Sequence, residues 1–368
     1  MLNAGSKLKA GDWVEVRSKE EILRTLDENG QLDGMPFMPE MLAFCGQKFP
    51  VYKRAHKTCD TVFPIRGRRV DHAVHLETRC DGQAHGGCQA GCLLFWKDAW
   101  LKTVSGSSPE GIAVPLQSLS AQKNSPNTSC TEPVLWESAC APNPDGGSPV
   151  YSCQATRLPY ATSNLDWWDL RQYFEDYFSG NVGLWRIFCG LVYATYYNLS
   201  EAGLGLGRVM RWLYDKLHFL WRGTLFPRKV GTIPVGQPTP TATLGLQPGE
   251  LVRVKSHEEI LRTLDWGSKN RGLWWDAEMV PYCGGTYKVL KCVSIIIDEK
   301  TGKMQQMKGP CIVLDSVVCQ SRYSGCRMFC PRSIYPYWRE IWLERVEPRS
   351  VVHGGPAPST IWPGKRIN

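Results

Sequence analysis

The stretch GDWVEVRSKEEILRTLD at residues 11–27 decides the fold, because it returns as GELVRVKSHEEILRTLD at residues 249–265. The two segments are identical at 12 of their 17 positions. The similarity continues to Cys45 and Cys283, and it closes with FWKDAWLKTV (95–104) and YWREIWLERV (337–346). An internal repeat of this length predicts two domains of related fold.

Each copy of the repeat predicts a short strand followed by a short helix. Residues 12–17 alternate between apolar and polar side chains, as a half-buried strand does. Ser18 precedes Glu21 by three residues, and Ser256 precedes Glu259 by three, which is the spacing of a capping box. Further strands are predicted at 49–56, 73–79, 286–297 and 311–318. This pattern predicts an α+β fold with two related small SH3-like β-barrel domains flanking a helical insert.

The segments between and after the repeats differ in composition. Ser, Pro, Asn and Gly dominate residues 105–149, which predicts a linker, while residues 164–221 show helical periodicity and many aromatic side chains. The chain is therefore divided into repeat one at 9–104, a cysteine-containing linker at 105–163, an aromatic helical insert at 164–224, a Pro-rich linker at 225–247, repeat two at 248–347 and a flexible tail at 348–368.

Composition sets broad limits on the class of protein. The 368 residues carry a net charge of +8, which permits an anionic partner but is also typical of a solvated surface. The first residues contain no apolar stretch of the kind found in signal peptides, so a cytoplasmic location is expected. In a reducing cytoplasm the 15 cysteines are not expected to form disulfides. No apolar run reaches the length of a membrane span.

Three cysteines in each repeat form a matching set. The first cysteine set is Cys80, Cys88 and Cys92, and the second is Cys319, Cys326 and Cys330. If the last two members of a set lie on a helical turn, their Cβ atoms are about 5–6 Å apart, too far for a disulfide but suitable for thiolates around one metal ion. The spacing therefore predicts one metal site in each repeat.

A tetrahedral site needs a fourth ligand, for which several candidates exist. In repeat one they are Cys59, His75 and His85, with Cys130 and Cys153 able to fold back from the linker. In repeat two they are Cys311 and Cys292. The predicted metal ligands are Cys59, Cys80, Cys88, Cys92, Cys311, Cys319, Cys326 and Cys330; the roles of Cys130, Cys140 and Cys153 stay open.

The identity of the metal is also open at this point. Four thiolates suit zinc, but they suit an iron–sulfur cluster equally well. The alternative interpretation is that these are core cysteines without a metal, which fits Cys45, Cys189 and Cys283 best. His72, His75 and His85 have no aligned histidines in repeat two, so they either mark repeat one as the functional copy or are ordinary surface and capping residues.

Other functional motifs are weak or absent from the sequence. No P-loop, nucleophile elbow or dinucleotide fingerprint is present, so whether the chain is an enzyme stays undecided. Basic residues interleaved with aromatics at 66–69 and 322–337 are compatible with nucleic-acid binding. The basic, aromatic segment 208–222 is compatible with peripheral membrane contact, although packing against the neighbouring helices is the simpler expectation.

The motifs AHKTCDT (55–61), RCDGQAHGGCQAGCLLFWKDAWL (79–101) and CRMFCPRSIYPYWREIWLERV (326–346) resemble a family of bacterial proteins with a duplicated cysteine-rich domain. The resemblance covers essentially the whole chain and implies a bacterial protein, and it carries over no activity, substrate or catalytic residue. The sequence therefore predicts a metal-binding scaffold or partner-binding protein that contains zinc or an iron–sulfur cluster and has a protein partner. The alternatives are an iron–sulfur redox or biosynthetic accessory enzyme and a nucleic-acid-binding protein.

Overall fold

The structure is a computed structural model, and it describes residues 7–62, 65–104, 130–143, 146–201, 207–221 and 223–346. Its fold is mixed α+β, with two curled antiparallel sheets, one in each repeat. The predicted tail at 348–368 lies outside the described residues, as does the part of the predicted linker at 105–129.

Repeat one is built on a five-stranded antiparallel sheet. Its elements are β1 (Trp13–Val16), α1 (Lys19–Leu23), β2 (Gln31–Leu32), β3 (Met35–Pro36), β4 (Lys48–Arg54), β5 (Lys57–Asp60), β6 (Arg66–Arg69), β7 (Ala73–Arg79), β8 (Leu93–Lys97) and β9 (Leu101–Thr103). The order in the main sheet is β8-β7-β4-β1-β9, and β5 pairs with β6 in a separate small sheet. The predicted strand at 49–56 is thus interrupted before His56, and β5 begins directly after it.

The middle of the chain contains more structure than a linker would. Its elements are α2 (Glu132–Ala139), β10 (Cys140–Ala141), β11 (Val150–Tyr151), α3 (Gln154–Arg157), β12 (Ser163–Leu165), α4 (Arg171–Phe178), α5 (Leu184–Glu201) and α6 (Gly207–Leu217). Leu135 of α2 and Leu158 are buried in the core of repeat one, and β12 extends the β5–β6 sheet. The described part of 105–163 therefore packs onto repeat one, and it also reaches repeat two, where Tyr151 N donates to Gly302 O at 2.8 Å.

Repeat two follows the same plan with fewer strands. Its elements are β13 (Leu251–Val254), α7 (His257–Leu261), β14 (Lys269–Asn270), β15 (Leu273–Trp274), β16 (Thr286–Ile297), β17 (Met304–Leu314) and β18 (Leu343–Arg345), and the main sheet has the order β17-β16-β13-β18. The strand predicted at 311–318 runs instead over Met304–Leu314, because it is the second arm of a long hairpin with β16.

The predicted capping boxes are confirmed in both copies. The Ser18 hydroxyl accepts a hydrogen bond from the Glu21 backbone N–H at 3.3 Å, and the Ser18 N–H donates to the Glu21 carboxylate at 3.0 Å. The Ser256–Glu259 pair makes the same two contacts at 3.3 and 2.9 Å. These caps satisfy N–H groups that would otherwise have no partner at the start of a very short helix.

The two cores are also built around equivalent contacts. Trp100 Nε1 donates to Thr25 Oγ1 at 3.1 Å in repeat one, and Trp342 Nε1 donates to Thr263 Oγ1 at 2.9 Å in repeat two. Each tryptophan is fully buried and lies in an edge-to-face contact with an aromatic ring across the core. Thr25 and Thr263 belong to the repeated stretch. That stretch therefore fixes the orientation of the last strand of each repeat, β9 and β18, which directly follow the two tryptophans.

The repeats contact each other directly through the loop that carries the first cysteine set. The Gln89 side chain accepts a hydrogen bond from Ser294 N at 2.7 Å, and Gln89 N donates to Ile295 O at 3.1 Å. Arg79 donates to Ser333 O at 3.0 Å, and its guanidinium lies 3.8 Å from the centre of the Tyr335 ring. The loop is thus attached to β16 and to the chain around the second cysteine set.

No helix among the described residues combines the length and the apolar character needed to cross a bilayer.

His75 makes the stability of repeat one sensitive to acid. It is fully buried in β7, where its Nδ1 lies 2.8 Å from Leu94 O, and burial lowers its pKa to about 3. Below pH ~6.5 the unfolded chain takes up a proton that the folded chain does not, so stability falls by about 1.4 kcal/mol per pH unit. The variant His75→Asn keeps an amide donor for Leu94 but does not titrate. We expect it to recover about 2 kcal/mol relative to the parent protein between pH 7 and pH 5, measured by urea unfolding. Equal losses in both proteins would contradict this.

Candidate metal centres

The first cysteine set is held in a loop between β7 and β8. Cys80 follows β7 directly and its N–H donates to Cys92 O at 2.9 Å, which closes the loop. Gly82 has a φ of +77°, and a Cβ at this position would lie 2.1 Å from the backbone oxygen of Cys88. Only glycine permits this approach. The glycine therefore brings Cys88 back towards Cys80.

Cys153 joins this set from the segment before α3. The sulfur-bearing residues Cys80, Cys88, Cys92 and Cys153 line one small cavity of about 30 Å³, together with Met38 and Ile297. We call these four residues the first four-cysteine site. Cys153 precedes α3, and the backbone N–H of Thr156 donates to its sulfur. Cys153 is the fourth cysteine of this group. The structure thus gives a position at this site to one of the three cysteines whose roles the sequence leaves open.

Burial disfavours ionisation of three thiols of the first site. It raises the pKa of Cys92 to about 12, and it raises the pKa of Cys80 and of Cys153 as well. Charge on each of these sulfurs would also oppose ionisation of its neighbours. A bound cation reverses this balance because it stabilises thiolates directly. Binding of a metal ion would therefore favour ionisation of these three thiols.

Glu40 and His85 lie beside Cys80. Among the described residues, one group of three potential ligands has all its ligand atoms within 4.8 Å of one another, and it consists of Glu40, Cys80 and His85. His85 Nδ1 is 2.6 Å from Glu40 Oε1, however, and His85 Nε2 is 3.2 Å from Ser152 O. Both ring nitrogens are therefore engaged. Glu40 also accepts from Ala84 N at 3.1 Å, which makes the pair a support of the loop.

The second cysteine set is joined by Cys59, which comes from β5 of repeat one. The interaction with the Cys330 thiol, together with the charge of Arg332, lowers the pKa of Cys59 against the effect of burial. Burial raises the pKa of Cys319 to about 12, and charge on Cys319 opposes ionisation of Cys330. These three sulfurs therefore form one electrostatic group.

Cys326 lies against the same pair of strands. Its sulfur is 3.6 Å from Ile65 O, and a Cβ added at Gly67 would lie 3.0 Å from its backbone oxygen. Gly67 is the register partner of Cys59 in the β5–β6 pair. We call Cys59, Cys319, Cys326 and Cys330 the second four-cysteine site.

The structure changes the assignment of two predicted ligands. Cys59 was assigned to repeat one, but it lies with the second cysteine set, because β5 leaves the main sheet of repeat one and runs past that loop. Cys311 lies in β17 inside an apolar cluster with Val293 and Val313, and its sulfur is 3.5 Å from the Arg339 guanidinium. Nothing in this position connects it with the second cysteine set.

The remaining candidates lie outside both sites. His75 is bound to Leu94, and the sulfur of Cys130 lies 3.6 Å from Thr131 O in the core of repeat one. The Cys292 thiol donates to Leu246 O at 3.2 Å. Cys45, Cys189 and Cys283 are buried or half-buried thiols, as the core interpretation expects.

The last two cysteines of each set do not lie on a helical turn, which was the condition considered for their spacing. Both segments are irregular, and the residue before the last cysteine has a left-handed backbone in each: Gly91 at φ +63° and Phe329 at φ +60°. A residue two places after the first cysteine is left-handed too, namely Gly82 at +77° and Ser321 at +49°. The two loops therefore share backbone turns that alternating or helical periodicity does not reveal.

Positive side chains surround both four-cysteine sites. Arg332 is almost fully buried between them; it pairs with Glu299 at 2.8 Å, contacts Cys59 O at 3.3 Å, and its charge acts on both Cys59 and Cys92. Arg327 pairs with Asp276 at 2.6 Å beside the second site. Lys291 lies beside the first site, where burial lowers its pKa and nearby thiolates would raise it.

A buried ion pair adjoins the second site. Lys57 Nζ lies 2.6 Å from Asp176 Oδ2 and stands over the rings of Tyr173 and Phe329, at 5.0 and 5.7 Å from their centres. Burial raises the pKa of Asp176 to about 6, although Lys57 opposes the shift. The pair joins β5 of repeat one, α4 and the second cysteine loop, and the sequence pattern gave no indication of it.

Comparison of the chain with known protein families, curated proteins and solved structures found no match.

Proposed function

We propose that this chain is a zinc-binding scaffold in which two four-cysteine sites fasten two SH3-like barrels into one body. The observation that carries the proposal is that each matching cysteine set gains its fourth cysteine from outside its own set: Cys153 from the middle segment and Cys59 from the opposite repeat. Four protein ligands leave no open position on zinc, which is typical of structural rather than catalytic sites.

The surroundings of the sulfurs support metal thiolates. The Ile297 N–H of repeat two donates to Cys88 Sγ at 3.4 Å, and the backbone N–H of Arg332 donates to Cys330. Four thiolates around Zn²⁺ carry a net charge of −2, so buried cations such as Arg332 and Lys291 stabilise the bound state. Among the described residues, no three of these sulfurs lie within 4.8 Å of one another, so zinc binding would have to draw them to the ~3.8 Å separation of a tetrahedral zinc–thiolate site.

The size of the first site favours one ion over a cluster. Its cavity of about 30 Å³ is small, and a single ion needs less space among the sulfurs than an iron–sulfur cluster, which adds several iron and sulfide atoms. The scaffold is also favoured over nucleic-acid binding, because Arg327 and Arg332 are buried in ion pairs rather than available to phosphates.

Metal analysis of the full chain tests this proposal. We expect a colourless protein with about two zinc ions per chain, and a marked fall in melting temperature when a strong chelator removes them. If the protein instead contains iron and sulfide and absorbs broadly near 400 nm, the bound group is an iron–sulfur cluster and not zinc. A metal-free protein whose melting temperature is unaffected by chelator would overturn the proposal.

A further inference from the structure

The outward sides of the middle helices expose an unusual amount of apolar surface. Large side chains that are 40–67% exposed occur on α4 and the segment before it, on α5, and on α6 and the 3-10 turn that follows it. We call these residues the apolar helical face: Trp167, Trp168, Leu170, Phe174, Tyr177, Phe178, Leu184, Trp185, Phe188, Leu191, Leu199, Val209, Trp212, Phe219 and Leu220.

The helices are held so that this face points away from the rest of the protein. Tyr173 of α4 and Ile187 of α5 share a buried cluster with Phe329, and Tyr214 of α6 is buried in a second cluster that includes Tyr323. The inner sides of all three helices are therefore fixed on the loop of the second cysteine set. Their outer sides have no further layer of described residues over them.

Helix α5 is apolar on both sides. Only Arg186 and Glu201 among its 18 residues are charged. A helix that is hydrophobic all round is normally covered by protein or lipid, and soluble monomers rarely expose apolar patches of more than a few hundred Å². We therefore expect the apolar helical face to be covered by a protein partner or by lipid.

The charged residues around the apolar helical face indicate whether protein or lipid covers it. On α6, the exposed Arg208, Arg211 and Lys216 are interleaved with Val209 and Trp212. The acidic Asp215 is turned to the Phe226 backbone N–H at 2.6 Å. Arg171 on α4 is also exposed, although it pairs with Asp169 at 2.8 Å. Aromatic and aliphatic side chains mixed with Lys and Arg are typical of helices that lie in the headgroup region of a bilayer.

A basic cavity opens beside the same face. It has a volume of about 370 Å³, and Phe174 and Phe178 form part of its wall. Four basic residues line it, but Arg54 pairs with Asp98 at 2.8 Å and Arg69 pairs with Glu175 at 3.4 Å. The positive excess therefore comes from Lys7 and Lys9, which face the single carboxylate of Asp71. A lipid has an anionic headgroup joined to apolar acyl chains. Its headgroup would fit this cavity while its acyl chains contact the apolar side chains beside it.

We propose that the apolar helical face docks on a membrane surface that contains anionic lipids, and that the basic cavity receives a lipid headgroup. A second copy of the chain fits less well, because a two-fold interface through this face would place the same arginines and lysines opposite one another. This proposal is independent of the metal sites.

Co-sedimentation of the full chain with vesicles tests the proposal. We expect binding to vesicles of phosphatidylcholine with about 30% phosphatidylglycerol, and much weaker binding to phosphatidylcholine alone. The double variant Phe188→Glu/Trp212→Glu should reduce binding at least ~10-fold, because it places two charges in the apolar contact. Trp266→Glu, at a tryptophan that is 58% exposed outside this face, is the matched control and should bind like the parent protein.

The cavity is tested separately with Lys9→Glu. We expect this variant to lose part of the preference for anionic vesicles while keeping its fold and its metal. Absence of binding to anionic vesicles would overturn the proposal, and so would equal binding by the parent protein and the Phe188→Glu/Trp212→Glu variant. A concentration-dependent dimer in sedimentation velocity that this variant abolishes, without vesicle binding, would assign the face to a second copy instead.

Discussion

Replacing Cys59 with serine is expected to remove one of two bound zinc ions and to loosen the contact between the repeats. Cys59 is the only member of the second four-cysteine site that repeat one supplies, so its loss breaks both the metal site and a connection between domains. The free energy of unfolding should fall by about 4 kcal/mol or more, as is typical when a metal site is lost. Zinc content should drop from about two ions per chain to about one.

A matched control is available at Cys292. Its thiol is half-buried and donates to Leu246 O at 3.2 Å, and a serine hydroxyl can make the same hydrogen bond. Cys292→Ser should therefore retain both zinc ions and change stability by less than about 1 kcal/mol. If Cys59→Ser kept its full metal content in elemental analysis, Cys59 would not be a ligand.

The sequence predicted the local features of the cysteine sites well and the long-range ones poorly. The capping boxes were predictable because Ser18 and Glu21 are only three residues apart, and their hydrogen bonds form within a single turn. The two matching cysteine sets were visible for a similar reason, since repetition marks them. The fourth cysteines are different. Cys153 and Cys59 reach their sites through chain folding over long separations, which no spacing encodes.

The backbone of the cysteine loops shows a second limit. Spacing of four residues suggested a helical turn, but Gly91 and Phe329 adopt left-handed conformations that prevent one. The glycine at position 91 gives some warning of such a conformation, whereas phenylalanine at position 329 gives none. Burial of Phe329 against α4 and α5 supplies the free energy that holds it there. Tertiary packing, and not local preference, determines this loop.

Replacing Lys57 with methionine is expected to destabilise the protein by about 3–5 kcal/mol, because it leaves the carboxylate of Asp176 buried without its partner. Lys57 and Asp176 are almost completely inaccessible and lie 119 positions apart in the chain, so their contact joins two distant parts of the sequence, β5 and α4. Unfolding in urea at pH 7 measures the effect. The exposed pair Arg253–Glu344, also 2.6 Å long, is the control, and Arg253→Met should lower the free energy of unfolding far less than Lys57→Met does, because solvent screens this pair.

The double variant Lys57→Met/Asp176→Leu separates the value of the ion pair from the cost of leaving one charge alone. A buried pair gains Coulomb energy but loses the hydration of both ions, so apolar replacements of similar size often stabilise as well as the pair does. We therefore expect the double variant to recover most of the loss, with Tyr173 and Phe329 packing on the methionine in place of the ammonium group. A double variant as unstable as Lys57→Met alone would mean that the charged pair itself, through its bond to Gln172, holds α4 against β5.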